Sequence, residues 1–106
     1  MDNKPKSNEY LDWTIPLMQS EAYVDRFVAE YWQTKLRYDR LHDTIVRIEA
    51  GTIDFKPACS LELLKQQAAC MGNYLYALEL RAEREGIRRA MLTLKSEEAR
   101  YEWKNS

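Results

Sequence analysis

The sequence has few of the residues and none of the motifs on which most catalytic and metal sites depend. It contains only two cysteines, Cys59 and Cys70, and a single histidine, His42. Sites that need two histidines are therefore excluded, and the cysteines lack the CxxC spacing of a zinc site, so we expect free thiols and no metal or cofactor. No GxSxG, HExxH, P-loop or GxGxxG motif occurs. We expect a protein without catalytic activity.

Long apolar runs and an excess of one charge are also missing. The N-terminus has no hydrophobic core of a signal peptide, and no later run could span a bilayer. The net charge of −1 provides no broad basic field, which argues against nucleic acid and membranes as default partners. With 106 residues that are 45% hydrophobic and 31% charged, the chain is expected to form a single cytoplasmic domain.

Glycine and proline are scarce, at three residues each, and they interrupt the helix-like sequence mainly in the segment IEAGTIDFKPACSLELL. We expect Gly51 to end one helix in the left-handed conformation and Pro57 to prevent its continuation. Ser60 is expected to cap the next helix. Within this turn, we expect Phe55 to close the end of a hairpin and Cys59 to be buried beside it.

Apolar residues recur at intervals of three and four on both sides of that turn, which predicts two long amphipathic helices. The first, over residues 20–50, is expected to have Ser20 as its N-cap. Its stripe is Val24, Phe27, Tyr31, Thr34, Tyr38, Leu41, Ile45 and Ile48. The second helix, over residues 61–86, has the stripe Leu61, Leu64, Ala68, Met71, Leu75, Leu78 and Ala82. With a turn at residues 51–60, the pattern predicts an all-α fold built on a long antiparallel helical hairpin.

Two shorter segments flank the predicted hairpin. Residues 1–19 form an N-terminal arm with apolar anchors at Trp13, Ile15, Leu17 and Met18. Residues 87–106 form a helical tail, which is either a short third helix after Gly86 or an extension of the second helix.

Apolar side chains also occur beside the two stripes, where a lone hairpin would leave them in water. They are Val28, Trp32, Val46, Tyr76 and Leu80. We expect other copies of the chain to cover them in a homo-oligomer. The alternative is a monomeric bundle that the arm and the tail close.

One flank of the predicted hairpin suggests a ligand site. Gly72 lies inside the second helix, where glycine is unfavourable and indicates the close approach of another group. In an antiparallel hairpin centred on residues 55 and 56, Gly72 would form the floor of a notch with Trp32 and Tyr76 as walls and Lys35 and His42 as polar groups. Such a notch suits a planar anionic ligand. The alternative is a tight helix crossing at Gly72.

The opposite flank carries a second candidate site with Arg37, Tyr74 and Arg81. Arginines in this position could hold a phosphate group. They could equally form surface ion pairs with Glu30 and Glu85.

About half of the sequence, RYDRLHDTIVRIEAGTIDFKPACSLELLKQQAACMGNYLYALELRAEREGI, resembles a group of short phage and prophage proteins related to an uncharacterised crAss-like phage protein. The EAGT turn, the LLKQQ stretch and the ending RAEREGI carry the resemblance. Ser60 departs from it, because a proline is expected after the loop cysteine, and this alters the cap but not the turn. The resemblance implies an accessory phage protein in the bacterial host cytoplasm, and it assigns no functional residues.

Two functions fit this setting. In the first, the protein is a host-defence antagonist that sequesters a small anionic signalling nucleotide between its helices, as anti-CBASS and anti-Thoeris sponges do. In the second, it blocks a host defence protein through the aromatic arm, Trp13 to Met18, or through Tyr101 and Trp103 of the tail.

Overall fold

The structure, a computed structural model, describes residues 11–94 of the chain and contains no strand in that range. Its helices are α1 (Thr14–Met18), α2 (Tyr23–Ala50), α3 (Leu61–Arg84) and α4 (Arg88–Leu92). The predicted all-α fold is therefore confirmed. The parts of the predicted arm and tail in residues 1–10 and 95–106, with Tyr101 and Trp103, lie outside the described residues.

The helices α2 and α3 form the predicted antiparallel hairpin. Lys65 Nζ lies 3.1 Å from Glu49 Oε2, and Gly72 faces the ring of Tyr38. These two pairs are centred on residues 57 and 55, so the register agrees with the predicted one. Every residue of the two apolar stripes is buried or half-buried, because the three-four spacing keeps each stripe on one side of its helix.

The turn between the helices has the predicted caps. Gly51 adopts φ 76° and ψ 20°, the left-handed conformation that glycine accepts without a steric penalty. Its N–H donates to Ile48 at 3.1 Å and the N–H of Thr52 donates to Arg47 at 3.0 Å, the paired bonds of a Schellman motif. At the other end, Ser60 Oγ accepts from the N–H of Leu63 at 3.2 Å and begins α3.

Two predictions about this turn are wrong. Phe55 is 57% exposed, and Cys59 is an exposed free thiol. Both residues belong to the connection between α2 and α3, where their side chains are open to solvent. Ile53 and Pro57 are the half-buried residues of the segment instead.

The first long helix begins three residues later than predicted, with Ala22 as its N-cap. Ser20 Oγ accepts from the N–H of Ala22 at 3.0 Å and donates to Asp25 Oδ2 at 2.8 Å. Arg26 Nη1 also donates to the carbonyl of Ser20 at 2.8 Å. Ser20 therefore fixes the approach to α2 through these bonds and does not cap the helix.

The predicted arm contains α1, which packs on α2 within the same chain. Thr14 and Leu17 are buried, and the ring centroids of Trp13 and Trp32 are 6.3 Å apart. Trp32 and Val28, which a lone hairpin would expose, are buried. Together with Phe27, Ala29 and Tyr31 they make this end of α2 the best-covered part of the helix.

Within the described range, residues 11–75 form one compact unit, and a second unit begins at Tyr76. In the second unit, α3 ends at Arg84. Gly86 follows with φ 77°, and the N–H of Ile87 donates to Ala82 at 3.0 Å. The glycine makes α4 a separate short helix, which settles the alternative left open by the sequence. Among residues 76–94, the buried side chains are Leu78, Ala82, Met91 and Leu94. The single-domain assignment stays a prediction.

Within residues 11–94, none of the helices combines the length and the apolarity that crossing a membrane requires.

Candidate functional site

Tyr38 occupies the flank on which the sequence predicts a notch. A Cβ atom added at Gly72 would lie 3.5 Å from Tyr38 Cε1, so the ring packs directly against the glycine. The ring of His42 stacks on the ring of Tyr38 with centroids 6.0 Å apart, and Lys35 Nζ lies 5.9 Å from the same ring. This close contact between α2 and α3 is what the alternative, a helix crossing at Gly72, predicts.

Two other predicted groups of this flank, Trp32 and Lys35, are also engaged within the chain. Trp32 is 8% exposed and packs against Trp13 and, edge to face, against Tyr31 at 5.3 Å. Lys35 Nζ forms an ion pair with Asp39 Oδ1 at 2.8 Å. The indole of Trp32 is therefore covered rather than open as the wall of a notch, and the charge of Lys35 already has a partner.

An open groove lies where side chains of α1, α2 and α3 meet, on the flank that carries Arg37. Its volume is about 390 Å³, within the range of roughly 300–1,000 Å³ found for small-molecule sites. The lining consists of Met18 from α1, Tyr74 from α3 and, from α2, Arg26, Glu30, Gln33, Thr34 and Arg37. We call this feature the Arg37 groove.

The helical repeat of α2 places most of this lining. Arg26, Glu30, Gln33 and Arg37 follow one another at intervals of four, three and four residues, so they share one side of the helix beside the apolar stripe. Arg26 and Arg37 are eleven residues apart, which is about 16 Å along the helix axis. Long flexible side chains at both ends can thus reach a ligand that lies between them.

Hydrogen bonds to neighbouring segments hold two of the lining residues. Arg26 Nη1 donates to the carbonyl of Ser20 at 2.8 Å, which uses one of the five guanidinium donors. Gln33 Nε2 donates to Thr14 Oγ1 at 2.9 Å, and the same amide nitrogen contacts the sulfur of Met18. These bonds connect the groove side of α2 to α1 and to the segment before α2.

The groove combines positive charge with an accessible aromatic ring. Its lining carries two guanidinium groups and one carboxylate. Within residues 11–94, Arg37 has no carboxylate partner. Tyr74 is 43% exposed. Guanidinium groups bind phosphate oxygens through paired hydrogen bonds, and tyrosine rings stack on planar bases. The groove therefore suits a phosphate-bearing planar molecule better than an uncharged one.

Arg37 also borders a second, broader groove of about 730 Å³. The lining is Arg37, Asp39, Arg40, Leu41, Asp43, Thr44 and Arg47. All of these residues belong to α2, and a single helix cannot enclose a ligand by itself. We therefore take the Arg37 groove, to which three helices contribute, as the candidate site.

The structure brings two of the eight predicted site residues, Arg37 and Tyr74, together in the groove. The opposite flank, where Tyr38 packs against Gly72, is called the packed flank. It carries the predicted site residues Trp32, Lys35, His42 and Gly72. Tyr76 and Arg81 belong to the second compact unit. There Tyr76 is 64% exposed, and Arg81 Nε lies 4.0 Å from Glu85 Oε2, the ion pair that the sequence offered as the alternative to phosphate binding.

Five lining residues were not predicted as site residues: Met18, Arg26, Glu30, Gln33 and Thr34. Arg26 and Gln33 could have been found, because they precede Arg37 at helical intervals on the same side of α2. Met18 could not, because its position depends on how α1 docks, and helical periodicity carries no information on that contact.

A protein-family model named Sequestin matches residues 21–84, which is more than half of the chain. The matched range contains α2, the turn and α3, and with them the groove residues Arg26, Arg37 and Tyr74. It does not contain α1. No curated protein and no solved structure shows significant similarity to the chain.

Proposed function

Because this chain belongs to the Sequestin family, we propose that it binds a small anionic signalling nucleotide without transforming it and withholds it from other proteins. The family name fits a sequestering role, and the nucleotide is our inference from the site. The proposal that the ligand is a nucleotide rests on one observation, the presence of Arg37 and Tyr74 in one open groove.

The two residues offer complementary contacts. A nucleotide presents phosphate oxygens at one end and a flat base at the other, and Arg37 and Tyr74 match these two features. Arg26 supplies a further guanidinium at the far end of the groove, where it can contact a second phosphate or a ribose hydroxyl. Since binding needs no nucleophile or general base, this mechanism agrees with the absence of catalytic motifs in the sequence.

We further propose that the protein is phage-encoded, acts in the bacterial host cytoplasm and antagonises a host defence that signals through such a nucleotide. A sequestering protein must be present in amounts comparable to its ligand, because each copy removes only the molecules it holds. A small chain suits that requirement. We also propose a homo-oligomer, which the half-exposed apolar side chains of Val46, Leu63 and Leu80 support.

Isothermal titration calorimetry with a panel of cyclic mononucleotides, cyclic dinucleotides and cyclic ADP-ribose isomers tests the binding step. We expect at least one member to bind with a stoichiometry near one per groove and to raise the melting temperature, since a ligand that binds only the folded state stabilises it. A chain that responds to no member of the panel would contradict the proposal.

A second experiment separates sequestration from cleavage. The complex is incubated, the protein is then denatured, and the released ligand is identified by chromatography and mass spectrometry. Sequestration predicts full recovery of the unchanged molecule. Recovery of a hydrolysed or rearranged product would show that the protein is an enzyme.

The alternative function, a module that blocks a host protein through the aromatic arm, has weaker support. Trp13 packs against Trp32 in the chain itself, so its ring is engaged, and Leu17 is buried. Ile15 and Met18 remain half-exposed and are the arm residues that favour this alternative. A pull-down from host lysate with Ile15→Ser and Met18→Ser variants tests it, and specific loss of one captured protein would support the alternative.

A further inference from the structure

The helix α1 is fixed on α2 by several independent contacts. The side chains of Thr14 and Leu17 are buried, and the rings of Trp13 and Trp32 pack with centroids 6.3 Å apart. Gln33 Nε2 donates to Thr14 Oγ1 at 2.9 Å. The position of α1 relative to α2 is therefore set by apolar burial and by a hydrogen bond.

This docking places the last residue of α1 at the groove. Met18 is 49% exposed and Ile15, one turn earlier, is 46% exposed, but only Met18 belongs to the lining. The sulfur of Met18 also contacts the amide of Gln33, another lining residue. Because Met18 precedes the range matched by the family model, this wall of the groove is contributed by a segment outside that range.

We propose that Met18 and Tyr74 together hold the base of the bound nucleotide, so that α1 supplies one of the two groups that contact it. This inference rests on the proposed function. Arg26 and Arg37 provide charge from α2, and the two sides of the groove formed by α1 and α3 provide a thioether and an aromatic ring. When a planar base lies between these two groups, the phosphate of the nucleotide lies on the side of the guanidinium groups.

The side-chain chemistry favours this division of roles. A thioether is polarisable and flexible, and it packs favourably on aromatic rings. It carries no formal charge, so it contributes little to the binding of phosphate itself. Removing Met18 should therefore weaken the binding of a base and leave the binding of a sugar phosphate unchanged.

The test uses two probes, adenosine monophosphate and ribose 5-phosphate, which share a phosphate and a ribose and differ in the base. Affinities are measured by ligand-observed NMR for the wild type, Met18→Ala, Met18→Leu and the matched control Ile15→Ala. We expect Met18→Ala to weaken the affinity for adenosine monophosphate about fivefold, equivalent to about 1 kcal/mol. Met18→Leu should retain most of this affinity. Ile15→Ala should leave the affinities for both probes unchanged.

Saturation transfer to the adenine protons in the wild type provides a readout that depends on no variant. We expect transfer from the methionine methyl region to the base, with little transfer to the ribose. Equal effects of Met18→Ala and Ile15→Ala, or equal losses for both probes, would overturn the inference. A wild type that binds adenosine monophosphate no more tightly than ribose 5-phosphate would overturn it as well, while the cyclic nucleotide panel tests the proposed function separately.

Discussion

The two flanks of the hairpin carry similar kinds of side chains in different surroundings. On one flank, Lys35 is paired with Asp39 at 2.8 Å, and Tyr38 packs against Gly72. On the other, Arg37 and Tyr74 line an open groove. Both flanks pair a cation with an aromatic ring, so residue type alone does not separate them. The difference lies in whether the chain itself already occupies those groups.

The largest expected effect comes from the packed flank. Trp32→Ala removes a ring that is 8% exposed and contacts both Trp13 and Tyr31. Truncation of a buried tryptophan typically lowers the free energy of unfolding by about 3–5 kcal/mol, from lost burial and the cavity left behind. Urea unfolding monitored by circular dichroism measures the change.

Tyr76→Ala is the control for that measurement, because Tyr76 is 64% exposed. We expect its free energy of unfolding to stay within about 0.5 kcal/mol of the wild type. Should Trp32→Ala unfold at the same urea concentration as the control, the assignment of Trp32 to the core of the chain would be incorrect.

Features decided by neighbouring residues could be predicted from the sequence. The left-handed Gly51 and the cap at Ser60 depend on residues within one helical turn, and the apolar stripes depend on a repeat that runs through each helix. The register of the hairpin followed from these caps and stripes, because a short turn between two helices with known ends leaves little freedom in how the helices pair.

Features decided by contacts far apart in the sequence could not be predicted. The docking of α1 depends on Trp13 meeting Trp32 and on Thr14 meeting Gln33, and neither pair follows a repeat. For the same reason the sequence did not show that Trp32 is covered by Trp13 or that Tyr38 packs against Gly72. The start of α2 is a local exception, because Ser20 bonds to Ala22 and Asp25 before the helix begins and does not cap it.

The next effect in size concerns binding at the open flank. Arg37→Ala should weaken nucleotide affinity by roughly 10- to 100-fold, because hydrogen bonds to a charged partner contribute about 1.5–3 kcal/mol. It should leave the free energy of unfolding nearly unchanged, since Arg37 is exposed and has no carboxylate partner among residues 11–94. Calorimetric titration and urea unfolding of the same preparation measure both quantities.

Lys35→Ala is the matched control, because it removes the same charge two residues away on the same helix. Lys35 belongs to the other flank and is paired with Asp39, so we expect less than about a threefold change in affinity. Equal losses for the two variants would mean that the ligand responds to the overall charge of the helix. The groove would then not be the site.

The smallest expected effect decides between a crossing and a notch at Gly72. A Cβ at this position would lie 3.5 Å from Tyr38 Cε1 and 3.7 Å from its hydroxyl oxygen, which is ordinary van der Waals contact. Since alanine favours the helix over glycine by about 1 kcal/mol, Gly72→Ala should raise the free energy of unfolding by roughly 0.5–1 kcal/mol. Urea unfolding of this variant measures its stability, and calorimetric titration measures its affinity for the nucleotide.

The added methyl group would also change the affinity for the nucleotide if Gly72 were part of a notch. If Gly72 were the floor of a ligand site, an added methyl would intrude on the ligand, and affinity would fall while stability rose. With the binding site on the Arg37 side of the hairpin, affinity stays at the wild-type level. A Gly72→Ala variant that is more stable but binds nucleotide several-fold more weakly would therefore move the site back to the packed flank.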